Sequence, residues 1–307
     1  MIRLGLCCIF RQEPIRFRQT TASTLQKISR QDQLAKLSSL CLTNLTSLSE
    51  ALEWVISNGV GAFRVLSPLF PRITHPAVAY TLEELPDFAL IISQCKKIRA
   101  RRQQCDIRLS LHPDQFNVLS SPHPDVVQNT IRELEYQGML AEKIGAEVIN
   151  IHCGGVYGDK TGAIMRLKEN FERLSSRVQS RLSLENDDRS YTPADLLPVC
   201  ADLGIPMVYD VHHHRCHADN LSLQEAALGS IESWKAVGRE PYFHISSPRD
   251  GYHSSTPRPH ADFISADDFP PEWLDFTMTV DVEAKAKELA VLKLKRDLKA
   301  MQSRPGN

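Results

Sequence analysis

Hydrophobic residues form two kinds of segment that alternate along the chain. Short apolar runs recur eight times, and between most of them lie longer segments whose apolar residues repeat every three or four positions. The short runs are typical of buried strands and the longer segments of amphipathic helices. The strands are predicted at residues 3–9, 62–66, 108–112, 148–152, 182–185, 205–210, 242–244 and 277–283.

The helical periodicity is clearest in residues 32–58. There Leu45, Leu48, Leu52 and Val55 lie three or four positions apart, which places them on one helix face. Helices are also predicted at residues 82–102, 124–145, 161–179, 192–204, 222–237 and 284–301. Strands that alternate with helices predict a parallel sheet, and eight such units predict a closed (β/α)₈ TIM barrel. We expect one domain over residues 1–307, with residues 293–307 as the end of the closing helix and a tail.

Six of the predicted strands end on a histidine or a carboxylate. The carboxyl ends of barrel strands meet at one mouth, so these side chains should be neighbours: His112, His152, Glu185, Asp210, His244 and Glu283. A single histidine at a strand end is more often an ordinary hydrogen-bonded imidazole than a metal ligand. Several carboxylates close together are costly unless a cation or proton offsets their charge. The set therefore predicts two divalent ions that share one carboxylate, with His213 and His260 available for a third.

Composition limits the classes of partner. The net charge is −1 and the pI is about 6.8, which argues against a non-specific polyanion binder. Two local basic groups stand out, residues 96–102 and the trio Arg11, Arg16 and Arg18, and the first is more typical of a solvated helix face. The eight cysteines include no C-x-x-C pair, and no apolar run is long enough to span a bilayer. We expect a cytoplasmic protein with reduced thiols and no membrane partner.

Five motifs carry a family resemblance. They are LHPDQF at 111–116, IHCGGVYG at 151–158, LEND at 184–187, DVHHH at 210–214 and VEAK at 282–285. With them the chain resembles the UV-damage endonucleases, which are TIM-barrel DNA-repair enzymes related to endonuclease IV. The resemblance runs from residue 3 to about residue 292.

The resemblance implies a metal-dependent hydrolase that cuts the phosphodiester immediately 5′ to cyclobutane dimers and 6–4 photoproducts. It implies that Glu185 bridges two ions, with His112 and His152 on the first and Asp210, His244 and Glu283 on the second. His213 and His260 would hold a third ion. Up to three manganese ions are implied, with magnesium, cobalt or zinc as substitutes. Glu185, His112 and Asp210 are the implied catalytic residues.

The resemblance also implies contacts with double-stranded DNA. Gln115 and Phe116 match a pair that wedges into the duplex opposite the flipped lesion. Tyr157 and Lys160 follow in the glycine-rich loop after the fourth strand, and Lys160 is either a phosphate contact or a solvated surface lysine. Residues expected to support the metal ligands are Asn186, His214, Tyr242 and Lys285.

The chain departs from the family pattern at a few positions. Family members often have tyrosine where Leu6 and Phe116 stand, and some carry a modified lysine where Tyr242 stands. The loop at residues 10–17 also differs. These departures concern the contact with damaged bases and the surroundings of the second ion. We expect a monomer that joins the nucleoid when it acts on DNA.

Two other functions fit parts of the pattern. A xylose-isomerase-like sugar isomerase or epimerase also places Glu, Asp and His at barrel strand ends around divalent ions. Such an enzyme should enclose a small pocket, whereas a duplex enzyme needs an open groove. A non-catalytic DNA-lesion-binding barrel is the third reading, and the complete set of ligand-type residues argues against it.

Overall fold

A closed barrel of eight parallel strands forms the centre of the molecule. In this computed structural model, which describes residues 1–302, each strand pairs with its neighbours in sequence and β1 pairs with β8 to close the ring. The (β/α)₈ prediction is confirmed. The strands are β1 Ile2–Cys7, β2 Ala62–Val65, β3 Arg108–Leu111, β4 Val148–His152, β5 Leu182–Glu185, β6 Met207–Asp210, β7 Tyr242–Ile245 and β8 Met278–Val282.

Helices surround the barrel. Short 3₁₀ turns add to them at Leu82–Glu84, Ala266–Asp268 and Pro271–Asp275, and residues 303–307 of the expected tail lie outside the described residues. The helices are α1 Ala22–Leu25, α2 Arg30–Ser57, α3 Phe88–Gln104, α4 Pro124–Ile144, α5 Lys160–Phe171, α6 Ser176–Gln179, α7 Pro193–Leu203, α8 Val211–Cys216, α9 Leu223–Ala236 and α10 Glu288–Gln302. No helix within residues 1–302 is long and apolar enough to cross a membrane.

The apolar core lies between the strands and the helices. Side chains alternate along each strand, so one set faces the helices and the other faces the barrel axis. The set that faces the helices includes Leu6 of β1 and Phe243 of β7, both fully buried. Leu6 therefore packs in the core, where it belongs to the barrel wall. The set that faces the axis is unusually polar, with Ser110, Asn150 and other hydrogen-bonded side chains.

Two predicted helix starts are wrong. The helix predicted from residue 82 begins at Phe88, because Pro86 restricts the preceding residue to extended backbone, and Leu85 has ψ 134°. The closing helix begins at Glu288 instead of residue 284. The carboxylate of Glu288 accepts hydrogen bonds from the backbone N–H groups of Arg11 and Gln12, and these bonds hold the loop after β1 against α10.

Other helices also differ from the sequence prediction, among them the short α1, which was not predicted. The segment 161–179 is divided into α5 and α6, since Glu135 binds both the backbone N–H and the hydroxyl of Ser175 and holds the chain outside helical geometry there. Helix α8 was not predicted, and it follows β6 directly. It places three histidines within one turn of Asp210.

The basic segment 96–102 is a surface feature of α3, as expected. Arg101 pairs with Glu53 at 2.6 Å, and Arg102 pairs with Glu147. These pairs join α3 to its neighbours in the outer layer. These ion pairs therefore belong to the outer layer and are not part of the barrel mouth.

Replacement of Phe243 by Ala should destabilise the barrel wall strongly. The ring is fully buried, with the rings of Tyr209 and Trp273 at 5.5 and 5.0 Å. Loss of a buried aromatic side chain costs about 3–5 kcal/mol in the free energy of unfolding. Urea unfolding measures this, with Leu228→Ala as the control because Leu228 is 40% exposed. Equal stability of the two variants would contradict the packing described.

Candidate metal centre

Glu185 lies at the centre of the mouth of the barrel. It ends β5 and is fully buried. Its Oε2 atom accepts a hydrogen bond of 2.5 Å from Asn150 and lies 3.0 Å from Nε2 of His112. Its Oε1 atom lies 2.9 Å from Nδ1 of His244 and 3.5 Å from Nδ1 of His213. One carboxylate therefore contacts side chains from β4, β7 and the segments that follow β3 and β6.

The predicted ligands converge around Glu185 in three groups. Within each group one potential ligand atom per residue lies within 4.8 Å of the others, and Glu185 belongs to every group. The groups are His112–His152–Glu185, Glu185–Asp210–His213 and Glu185–His244–Glu283.

The second and third groups differ from the ligand sets that the resemblance implies. The resemblance places Asp210 with His244 and Glu283, and His213 with His260. Asp210 lies with His213, because its carboxylate caps α8 and accepts the backbone N–H of His213 at 2.8 Å. His260 lies at the edge, with Nδ1 3.9 Å from Glu283 and 3.2 Å from the hydroxyl of Ser246. The assignment of each residue to a particular ion stays a prediction.

The donor set fits divalent cations. Carboxylate oxygens and imidazole nitrogens are ligands that manganese, zinc and cobalt accept. Two buried atoms of the set, Nδ1 of His152 and Oδ2 of Asp210, have no hydrogen-bond partner among the described residues. Buried polar atoms are normally paired, so an unpaired carboxylate oxygen in this cluster suits a bound cation.

Charges at the mouth shift the pKa values of these groups. Burial by itself raises the pKa of Glu185, but His244, His152 and His112 outweigh it and hold the pKa well below its usual range. Burial lowers the pKa of His152. For His213, the charges of Asp210 and Glu185 outweigh burial and raise the pKa to about 9.

The four residues expected to support the ligands have different surroundings. Asn186 supports two ligands, since its side chain exchanges hydrogen bonds of 2.9 Å with the backbone of Asp210 and its carbonyl lies 3.0 Å from His213. His214 contacts Tyr209 and Asp219 instead. Tyr242 lies below His244, with the ring centroids 5.6 Å apart. Lys285 is exposed beside Glu283, in the wall of a cavity of about 460 Å³.

The four expected DNA contacts stand on the rim or near it. Phe116 is 77% exposed and Tyr157 is 46% exposed, and Gln115 is exposed beside Phe116. Lys160 pairs with Asp195 at 2.8 Å and lies over the ring of Tyr191.

A cavity of about 510 Å³ connects this rim to the ligands. Its lining includes Gln115, Phe116 and Arg189 together with the predicted ligands His152 and His213. It is open to the surface. The geometry suits an extended ligand better than an enclosed small molecule.

Arg64 is the site residue that the sequence reasoning missed. It is buried on β2, and its guanidinium contacts Glu283 at 2.6 Å and His244 at 2.7 Å. The available signal was a charged residue inside the apolar strand Ala62–Val65, since a buried arginine needs partners. Asn150 gives the same signal in β4.

Comparison with known proteins identifies the family. The family model described as UV-endonuclease UvdE matches residues 2–304. The chain belongs to the UvdE family. A UV DNA damage endonuclease from Bacillus velezensis is 33% identical over 294 residues, which cover 92% of this chain and 88% of that protein. The crystal structure of SacUVDE superposes with a TM-score of 0.86 at 27% identity and covers 99% of this chain and 100% of that one. This UvdE chain is therefore a DNA-repair endonuclease.

More distant structures share the fold alone. Endonuclease IV from Thermus thermophilus has a TM-score of 0.57 at 19% identity, covering 83% of this chain and 94% of its own. D-Psicose 3-epimerase from Clostridium cellulolyticum has a TM-score of 0.55 at 13% identity, covering 98% of each. The barrel by itself does not separate nucleases from sugar epimerases.

The cation-free protein should lose thermal stability as the pH rises from about 6.5 to about 9. The folded protein holds a proton on His213 up to a pKa of about 9, whereas the unfolded chain releases it near 6.5. The stabilisation is therefore complete below pH 6.5 and disappears by pH 9. The melting temperature in the presence of a chelator measures it.

The control for this pH dependence is His213→Gln, in which the slope should flatten. Divalent cations need deprotonated ligands, so their stabilising effect should increase over the same interval. A melting temperature that rises with pH in the chelated wild type would contradict the proposed charge arrangement.

Proposed function

We propose that this UvdE-family endonuclease hydrolyses the phosphodiester immediately 5′ to UV photoproducts in double-stranded DNA, as a monomer, with divalent cations at Glu185. The observation that carries the proposal is the position of Glu185 in all three ligand groups. Manganese is the proposed ion, with magnesium, cobalt or zinc as substitutes. Glu185, His112 and Asp210 are the proposed catalytic residues.

The side chains at the mouth of the barrel would bind the DNA phosphate through divalent ions. Bound divalent ions would supply a water of lowered pKa and would offset charge on the phosphate and on the leaving oxygen. Asn150 fixes the rotamer of Glu185 through a 2.5 Å hydrogen bond, so the carboxylate presents both oxygens to its neighbours. Asn186 holds the backbone of Asp210 through its side chain and the imidazole of His213 through its backbone carbonyl. No protein nucleophile is needed.

The exposed pair Gln115 and Phe116 supports recognition of a distorted duplex. A dinucleotide lesion must leave the base stack to reach the cavity beside His152, and an amide with an aromatic ring can fill the gap it leaves. The wedge loop, residues 113–118, is anchored at its base, where Val118 packs against Gly154. A Cβ atom at Gly154 would lie 2.3 Å from the Val118 side chain, and its φ of 82° also favours glycine. The tip can therefore project while its base stays fixed.

Tyr157 and Lys160 are proposed as further DNA contacts. Tyr157 is exposed near the cavity with Arg166 6.0 Å from its ring, which gives this part of the rim a cation beside an aromatic surface. Lys160 would exchange its partner Asp195 for a phosphate, or stay paired with it.

The sugar isomerase and the non-catalytic lesion binder have less support. The family match covers residues 2–304, and the relatives it brings are endonucleases. The likeness to the epimerase is a likeness of fold. The cavity beside the ligands is open, as a duplex requires.

The direct test uses otherwise identical duplexes with a cyclobutane dimer, a 6–4 photoproduct, an abasic site or no lesion. Incision 5′ to both photoproducts, which a chelator abolishes and manganese restores, is the expected result. Chelator-insensitive cutting would refute the metal centre. Cutting of the undamaged duplex at the same rate would refute lesion recognition.

Glu185→Gln should lower incision at least about 100-fold while the protein remains folded. The amide keeps the size of the side chain, but it removes the charge that all three groups share. Single-turnover incision and bound metal per chain measure the effect, and both should fall. The control is Glu232→Gln, on the exposed surface of α9. Wild-type incision by the Glu185 variant would contradict its role.

The double variant Gln115→Ala, Phe116→Ala should bind the damaged duplex at least about ten-fold more weakly at unchanged metal content. Removal of the exposed ring and amide takes away only the proposed wedge. Fluorescence anisotropy and metal analysis measure the two quantities. Leu90→Ala, at an exposed position on α3, is the control. Equal losses of DNA affinity and metal would mean that the pair supports the structure of the centre instead.

A further inference from the structure

Arg64 uses every nitrogen of its guanidinium inside the barrel. Nε donates to Oδ2 of Asp281 at 2.8 Å, Nη1 donates to Glu283 at 2.6 Å, and Nη2 donates to Nε2 of His244 at 2.7 Å. The planar group thus links two residues of the candidate metal centre to a third residue beneath them. A guanidinium suits this task because its donors form a rigid fork.

Asp281 anchors Arg64 from below. It is fully buried on β8 and lies two residues before Glu283, so the two side chains face the same side of the strand. The hydroxyl of Tyr242 donates to its Oδ2 atom, and Ser110 lies 2.5 Å from that hydroxyl. Asp281 is thus a buried acid inside the barrel that the five family motifs do not include.

Gly5 makes room for this carboxylate. It stands opposite Asp281 in the register of β1 and β8. A Cβ atom built on Gly5 would lie 1.9 Å from Oδ1 of Asp281. The absence of a side chain at position 5 therefore permits an acid at position 281.

The network determines how His244 and Glu283 are oriented. Because Nε2 of His244 accepts a hydrogen bond from Arg64, Nδ1 carries the proton and donates to Oε1 of Glu185 at 2.9 Å. With Oε1 of Glu283 bound to Arg64, this carboxylate is held 3.4 Å from the same imidazole nitrogen. Fixed ligands need less ordering when a cation binds.

We propose that Arg64, anchored by Asp281 and Tyr242, is a positioning residue that fixes Glu283 as a cation ligand and fixes His244 as the hydrogen-bond donor that orients Glu185. The role rests on the proposed metal centre and deepens it. Arg64 acts through its two neighbours and needs no contact with DNA. Tyr242 takes part through its hydroxyl.

The test compares manganese binding by calorimetry in the wild type, Arg64→Lys and Asp281→Asn. Lysine keeps the charge but cannot reach three partners in a plane. Both variants should bind manganese at least ten-fold more weakly or lose one equivalent, and kcat should fall while KM for the duplex stays unchanged. The matched control is Arg108→Lys, since Arg108 is a buried arginine at the other end of the barrel, bound to Pro241 and Thr279.

Wild-type manganese affinity and stoichiometry in Arg64→Lys would overturn the proposal, as would an equal loss in Arg108→Lys. If the first two variants do not fold, Tyr242→Phe removes one hydrogen bond of the same network, and unchanged manganese affinity in it overturns the proposal. A wild type that binds no manganese refutes the metal centre itself. A wild type that binds manganese without cutting DNA refutes only the proposed reaction.

Discussion

The structure of the barrel mouth depends on the burial of one shared carboxylate. Glu185 has no solvent exposure and lies among four imidazoles, those of His112, His152, His213 and His244. Buried acids are costly unless positive charge compensates them. In the protein alone, His213, whose pKa is raised to about 9, offsets the charge of Glu185, and Arg64 offsets the charge of Glu283. Divalent cations would supply positive charge more strongly. Bound cations would therefore stabilise the same arrangement that makes the mouth costly to fold.

The polar interior of the barrel extends this principle below the mouth. Many TIM barrels fill the axis with branched apolar side chains. Here the axis holds Asn150, Asp281 and Arg64, each bound to a partner on another strand. Stability then comes mainly from the apolar layer between strands and helices, while the interior holds the ligands in fixed positions. The division lets the mouth carry charge without disturbing the core.

Much of this could be predicted from sequence, because strand ends are local signals. His112, His152, Glu185, Asp210, His244 and Glu283 each follow an apolar run, and barrel closure brings them together. Other features depend on partners distant in the chain. Arg64 and Asp281 are 217 positions apart, and no pattern around either residue reveals the other. The contact between Asp210 and His213 could have been predicted, because an aspartate at a helix N-cap commonly binds the backbone N–H three residues later. The ligand sets implied by the resemblance placed these two residues on different ions. Lys160 was ambiguous in sequence because its partner Asp195 lies 35 positions further along the chain, in α7.

The central claim is that Glu185 joins the cations of one centre. The most direct measurement is anomalous diffraction from crystals grown with manganese, recorded above and below the manganese absorption edge. We expect anomalous peaks at the barrel mouth that are bonded to Glu185, with at least one also bonded to His112 or His152. An empty mouth at saturating manganese, or peaks that do not touch Glu185, would contradict this claim.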